Sequence, residues 1–244
     1  MRFLLQSALW GAFAGSSILI GALIGLYTDL PKKVTGLIMS FGTGVLIGAA
    51  SFELLIEAVK DDGVLTTSFG FLSGAFVFTI SELLITKKGG NERKRTRKSS
   101  DNHSGLSIFI GTIIDAIPES VIIGVSLLEQ GTVSYLMVIA VFLSNFPEGL
   151  SSTVGLKKDG YSKKTLLLMW LIVVILASLS SLLGFSLLQD ASTTILSFIS
   201  AFAAGGIMAM VASTMMPEAF EEGGAIVGLI ASLGLLCSLL LSQF

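Results

Sequence analysis

Three of the four prolines in this 244-residue chain stand directly before a glutamate inside an apolar stretch: Pro118-Glu119, Pro147-Glu148 and Pro217-Glu218. A proline in a helix interior has no N–H to give and bends the helix, which frees the carbonyl four residues earlier. Those carbonyls belong to Ile114, Leu143 and Ser213. Each pair therefore sets a carboxylate near an exposed backbone oxygen. Asp115 and Glu119 are four residues apart and share a helix face, and Ser144 and Glu148 repeat that spacing on the next apolar stretch. Asn145 adds an amide oxygen beside Ser144. An ionisable side chain near a bilayer centre costs ~2.5–3.5 kcal/mol on insertion scales, and such residues usually face a bundle interior or an aqueous path. Glu53, Glu57, Glu82, Asp115, Glu119, Glu148 and Glu218 lie in or near apolar stretches with no lysine or arginine at comparable depth. A cation from outside the chain, or protons, must balance them. A lone acid in this setting reads as a protonated hydrogen-bond donor between helices, but the doubled motif on consecutive stretches favours a cation site. Glu82, near the end of its stretch, reads as a snorkelling or capping residue.

These side chains need elements that carry them through hydrocarbon. The chain is 52% hydrophobic and 13% charged with a mean hydropathy of +0.87, which excludes a water-soluble globule and describes a polytopic membrane protein. Spans able to cross ~30 Å at ~1.5 Å per residue fall at eight places: 7–27, 35–59, 64–86, 106–128, 133–156, 165–188, 193–219 and 224–242. Sustained hydrophobicity predicts helices, because barrel strands only alternate. The expected fold is thus all-α, a single transmembrane domain over 1–244 with both termini on one side. The first apolar run is too long for the core of a cleaved leader. The fourth and fifth spans form an antiparallel hairpin across a short loop at 129–132, which brings their oxygen-bearing side chains to similar depth.

Inventory removes several function classes. Cys237 and His103 are the only residues of their kinds, so an intrachain disulfide, a thiolate zinc cluster, an all-histidine metal site, a metalloprotease helix and a histidine-based triad are excluded. No catalysed chemistry is expected, and a net charge of −2 gives no basis for nucleic-acid binding. Charge distribution is informative where its sum is not. Thirteen of the fifteen basic residues (Lys32, Lys33, Lys87, Lys88, Arg93, Lys94, Arg95, Arg97, Lys98, Lys157, Lys158, Lys163 and Lys164) fall in the loops on one side of the eight spans, leaving Arg2 and Lys60 opposite. The positive-inside rule then sets both termini outside, extracellular or periplasmic, with a flexible basic cytoplasmic loop over 87–104. That loop reads first as a topology determinant.

A weak internal symmetry runs through the chain. Phe41–Ala58 aligns without a gap to Phe202–Ala219 and matches Phe, Gly, Glu and Ala at common offsets. The second and seventh spans run in opposite directions, as an inverted repeat requires, with substrate held near the midplane. The pairs Gly11/Gly15, Gly21/Gly25, Gly44/Gly48 and Gly70/Gly74 predict close helix packing. Met208, Met210, Met215 and Met216 read as packing residues.

With these motifs in place, the chain resembles the ZIP (Zrt/Irt-like) family of divalent metal-ion transporters over essentially its whole length. The family's fourth- and fifth-span motifs centre on Pro-Glu, matched here by Asp115-Ala116-Ile117-Pro118-Glu119-Ser120 and Ser144-Asn145-Phe146-Pro147-Glu148-Gly149. The resemblance implies an eight-helix inverted-repeat bundle in the plasma (inner) membrane and a homodimer in the lipid bilayer. It implies metal binding by Asp115, Glu119, Ser144, Asn145 and Glu148, with Glu53, Glu57 and Glu218 along the pathway. Asp115 and Ser144 occupy the family's two histidine positions, and Ala116 replaces its asparagine. Loss of imidazole makes the donor set harder, toward manganese, iron, magnesium or calcium, while zinc still accepts carboxylates. The expectation is import of zinc-, iron- or manganese-class cations with no cofactor. Two alternatives stand beside it: a non-transporting ZIP-like interaction or sensor protein, and a proton-coupled carrier of another solute.

Overall fold

The structure is a computed structural model that describes residues 2–87, 104–129 and 131–243. The basic loop expected over 87–104, and His103 within it, lie almost wholly outside the described residues. Among the described residues the chain is all-helical. Helix α1 is Arg2–Tyr27, α2 Lys32–Ala49, α3 Ile56–Lys87, α4 Ser104–Glu129, α5 Tyr135–Lys158, α6 Lys163–Leu188, α7 Thr193–Met210, α8 Met216–Gly223 and α9 Val227–Leu241. Two π-helical segments, Ala50–Leu55 and Val211–Met215, join α2 to α3 and α7 to α8 without a turn. Serine N-caps fix three starts: Ser134, Ser162 and Ser192 accept from the backbone N–H groups of Met137, Thr165 and Ile195, which satisfies donors that a helix end leaves orphaned.

Among the described residues six helical stretches are long and apolar enough to cross a membrane: Arg2–Tyr27, Lys32–Leu84, Phe109–Leu128, Tyr135–Lys158, Lys163–Leu188 and Thr193–Gly223. The chain is a multi-pass membrane protein by this measure. The count differs from the eight separate spans read from the sequence for two physical reasons. Helical hydrogen bonding runs through 32–84 as one 53-residue stretch, broken only at Gly63, whose φ of 81° and ψ of 172° are non-helical. The last apolar helix, α9, has 15 residues, short of the ~20 that a bilayer core needs.

The repeat extends well beyond the eighteen residues that suggested it. Adding 161 to each residue number carries Arg2–Tyr27 onto Lys163–Leu188 and Lys32–Ala49 onto Thr193–Met210. It also carries the start of one π segment, Ala50, onto the start of the other, Val211, and Gly63 onto Gly224, whose φ is 75°. Packing follows the repeat to within one residue, Gly74 mapping onto Leu235 beside Gly234. A Cβ on Gly74 of α3 would strike the carbonyl oxygen of Phe202 in α7, and one on Gly234 of α9 would strike that of Phe41 in α2. Phe41 and Phe202 are themselves equivalent under the offset.

The glycine pairs mark helix crossings, as their spacing predicts. Gly11 and Gly15 lie against Ser181 and Ala177 of α6, Gly21 and Gly25 against the backbone of Phe146 and Leu150 in α5, Gly44 and Gly48 against α9, and Gly70 and Gly74 against α7. Hydroxyls reinforce the contacts: Ser7 Oγ donates to the Ser181 carbonyl at 2.6 Å, Ser181 Oγ returns a bond to the Ser7 carbonyl at 2.8 Å, and Ser40 Oγ donates to the Val227 carbonyl at 2.7 Å. Met210 and Met215 are buried in the main apolar core, in keeping with a packing role.

Candidate functional site

Asp115 and Glu119 project from α4, and Ser144, Asn145 and Glu148 from α5; all five are buried, at 2 to 6% exposure. The two helices meet through polar side chains where Thr112 Oγ1, one turn before Asp115, donates to Glu148 Oε1 at 3.0 Å. Ser144 Oγ donates within its own helix, to the Val141 carbonyl at 3.1 Å. The stretch from 105 to 156 contains no lysine, arginine or histidine.

Asp115 and Glu119 line a cavity of about 90 Å³ between α4, the second limb of α3 and α7. Gly74 and Ser81 form its α3 wall, and Phe202, Gly206 and Met210 its α7 wall. Ser144, Asn145 and Glu148 do not line it. The expected five residues are thus all buried, with two on the cavity wall and three on α5, and Thr112 links the two helices. Among the described residues no group of three or more His, Cys, Asp or Glu side chains is drawn close enough to hold a metal ion.

The prolines act locally as expected in part. Pro118 and Ile114 line the cavity with the two acids. The carbonyl of Leu143, freed by Pro147, is instead packed against α2, where a Cβ on Gly42 would lie 2.7 Å away. Ser213 falls inside the π segment, where the Met216 N–H reaches back five residues to the Val211 carbonyl. In the first π segment the Ile56 N–H likewise reaches back five residues, to the Ser51 carbonyl, although no proline is present, so the π geometry does not require Pro217.

The pathway residues sit on the π-bearing helices. Glu53 lies in the first π segment and accepts a hydrogen bond from Ser134 Oγ at 2.7 Å. Ser134 is also the N-cap of α5, and its own N–H donates to Ser126 Oγ of α4 at 3.1 Å. A carboxylate at a helix N-terminus is favoured by the helix dipole. At the other end of α5, Ser151 Oγ lies 3.4 Å from Glu218 Oε1, as its donor. Glu57 is half-buried one turn beyond Glu53. Within α5 the polar side chains run from Ser144 to Ser151, ~10 Å at the helical rise of ~1.5 Å per residue, and the preceding 135–143 stretch is apolar apart from Tyr135.

Sequence reading missed Thr112, Ser134 and Ser151. Thr112 was within reach, because it is three residues before Asp115 and seven before Glu119 and therefore shares their helix face. Ser151 has the same signal, three residues after Glu148 and seven after Ser144, whereas Ser134, outside the helix, has none.

No family model matches the chain. Over 205 residues, 83% of its length, the chain is 27% identical to an Arabidopsis thaliana protein whose name is "putative zinc transporter". The chain spans about a third (33%) of that relative's length. The resemblance to the ZIP family carried by Pro118-Glu119 and Pro147-Glu148, and the likeness to a protein bearing a zinc transporter's name, support one another.

Proposed function

We propose that this protein is a membrane transporter that carries divalent metal cations of the zinc, iron or manganese class inward across the plasma (inner) membrane. The metal is cargo; no covalent chemistry and no cofactor enter the reading. The two limbs around Gly63 and the short α9 are taken as separate crossings, which brings the number to eight, with both termini outside and the lysine-bearing turns inside. Asp115, Glu119, Ser144, Asn145 and Glu148 hold the cation in transit. Glu53 and Glu57 stand toward the outer end and Glu218 toward the inner end. A homodimer in the bilayer belongs to the same reading.

One observation carries it: Asp115, Glu119 and Glu148 are buried on two helices whose intervening 105–156 stretch holds no basic residue. Desolvating an ionised carboxylate costs several kcal/mol unless a partner repays it, and a divalent cation is such a partner. The Glu53–Ser134 and Ser151–Glu218 contacts tie two of the pathway acids to α5 and its N-cap, the helix that carries Ser144, Asn145 and Glu148, which supports a route beside it. The name of the plant relative favours zinc, while the imidazole-free donor set leans toward harder ions.

Elemental analysis of cells expressing the wild type or Glu148→Gln, each exposed to zinc, manganese, iron, cobalt, cadmium and magnesium, tests the reading. Accumulation of at least one metal with the wild type and not with the variant is expected. Equal metal contents at matched expression would overturn it. Uptake that follows pH and ignores every metal would instead favour the proton-coupled carrier.

A further inference from the structure

We infer that Thr112 is a positioning residue that sets how Glu148 meets the cation, and thereby which cations the site prefers. The inference rests on the reading of Glu148 as a ligand and goes beyond it. Thr112 is 2% exposed and Glu148 6% exposed, and the 3.0 Å bond from Thr112 Oγ1 to Glu148 Oε1 joins α4 to α5 one helical turn from Asp115. Such a bond does two things. It fixes the plane of the carboxylate, because a short, buried hydroxyl side chain has few rotamers from which to donate. It also engages one lone pair of Oε1, so that a cation arriving at Glu148 meets a carboxylate whose two oxygens are no longer equal donors.

The number of oxygens offered matters to selectivity. Small ions such as zinc bind few ligands at ~2.0–2.2 Å, and one well-aimed carboxylate oxygen suits them. Larger ions take more oxygens at longer distances and accept carboxylates in the two-oxygen mode. A hydroxyl that weakens one oxygen as a donor disfavours the two-oxygen mode and therefore favours the small ion. Outer groups that orient a metal ligand typically change affinity or activity ~10–100-fold when removed, so the effect is within reach of measurement.

The test uses the full-length protein in liposomes, with zinc as one probe and cadmium, a larger ion of equal charge, as the other. Thr112→Val keeps the shape and removes the donor; Thr112→Ser keeps the donor; Thr112→Ala removes both. Expected for Thr112→Val and Thr112→Ala is a zinc KM raised ~10-fold, a smaller change in kcat, and a cadmium-to-zinc uptake ratio above that of the wild type. Thr112→Ser should retain the wild-type KM and ratio. A wild-type KM and ratio in Thr112→Val would overturn the inference, as would equal behaviour of Thr112→Ala and Thr112→Ser should the valine variant not fold. Glu148→Gln run in parallel separates the two claims: if it transports zinc as well as the wild type, the site assignment itself fails, whereas an inactive Glu148→Gln beside an unaltered Thr112→Val sinks only the role of the hydroxyl.

Discussion

Glu119 and Glu148 each follow a proline, yet their surroundings differ. Glu119 faces a cavity walled by α3 and α7, whereas Glu148 is tied to α4 by a hydroxyl and is followed by a glycine at a helix crossing. Gly149 has no room for a side chain, since a Cβ there would strike the carbonyl oxygen of Ile18 in α1. Gly149→Ala must push backbone against backbone, and overpacking of this kind costs ~1–3 kcal/mol. Gly228, also helical, has nothing within 4 Å of where a Cβ would stand, so Gly228→Ala gains helix propensity at no steric cost. Thermal unfolding in detergent should therefore fall for Gly149→Ala and hold or rise for Gly228→Ala. Equal midpoints would mean that α1 and α5 do not pack at this glycine.

At the scale of elements, the breaks are the informative places. Gly63 and Gly224 hold φ of 81° and 75° with nothing within 4 Å of an added Cβ, so backbone conformation and not crowding demands glycine there. Alanine at either position would be held in a region that costs ~1–3 kcal/mol for an L residue. Gly63→Ala and Gly224→Ala should lose similar stability by denaturant unfolding, because the two glycines occupy the same place in the repeat. A large loss in one and none in the other would break that equivalence. The π segments are a second shared feature. Each inserts an extra residue into a turn, and such bulges are frequent at functional sites; here one bears Glu53 and the other precedes Glu218. Their presence was not legible in the sequence, since only the second is followed by proline.

At the scale of the whole molecule, the proposed orientation makes a direct claim about access. In a Cys237→Ala background, single cysteines at Asp61 and Ser192 should react with a membrane-impermeant maleimide on intact cells. Cysteines at Lys33 and Asp159 should react only after permeabilisation. All four positions are exposed, so burial does not confuse the result, and the reverse pattern would invert the topology. The contact of Thr194 Oγ1 with Asp62 Oδ1 at 2.7 Å agrees with placing 61 and 192 at one end of the bundle. At the other end Lys157 Nζ donates to the Leu26 carbonyl at 3.2 Å and Lys163 lies 4.6 Å from the Tyr27 ring, which gathers basic residues around the end of α1.

What the sequence determined by itself was local and periodic. Sustained hydrophobicity specified helices and most of their ends, small-residue spacing specified their crossings, and i to i+4 spacing set Asp115 with Glu119 and Ser144 with Glu148 on common faces. These properties follow from the rise and turn of one helix and need no knowledge of its neighbours. Tertiary structure decided the rest. That the Leu143 carbonyl meets α2, that Asp115 and Glu119 open toward α3 and α7, and that Thr112 reaches Glu148 all depend on which helices lie side by side. That arrangement is set by backbone approach at glycines scattered over the whole chain, and spacing within one helix does not encode it.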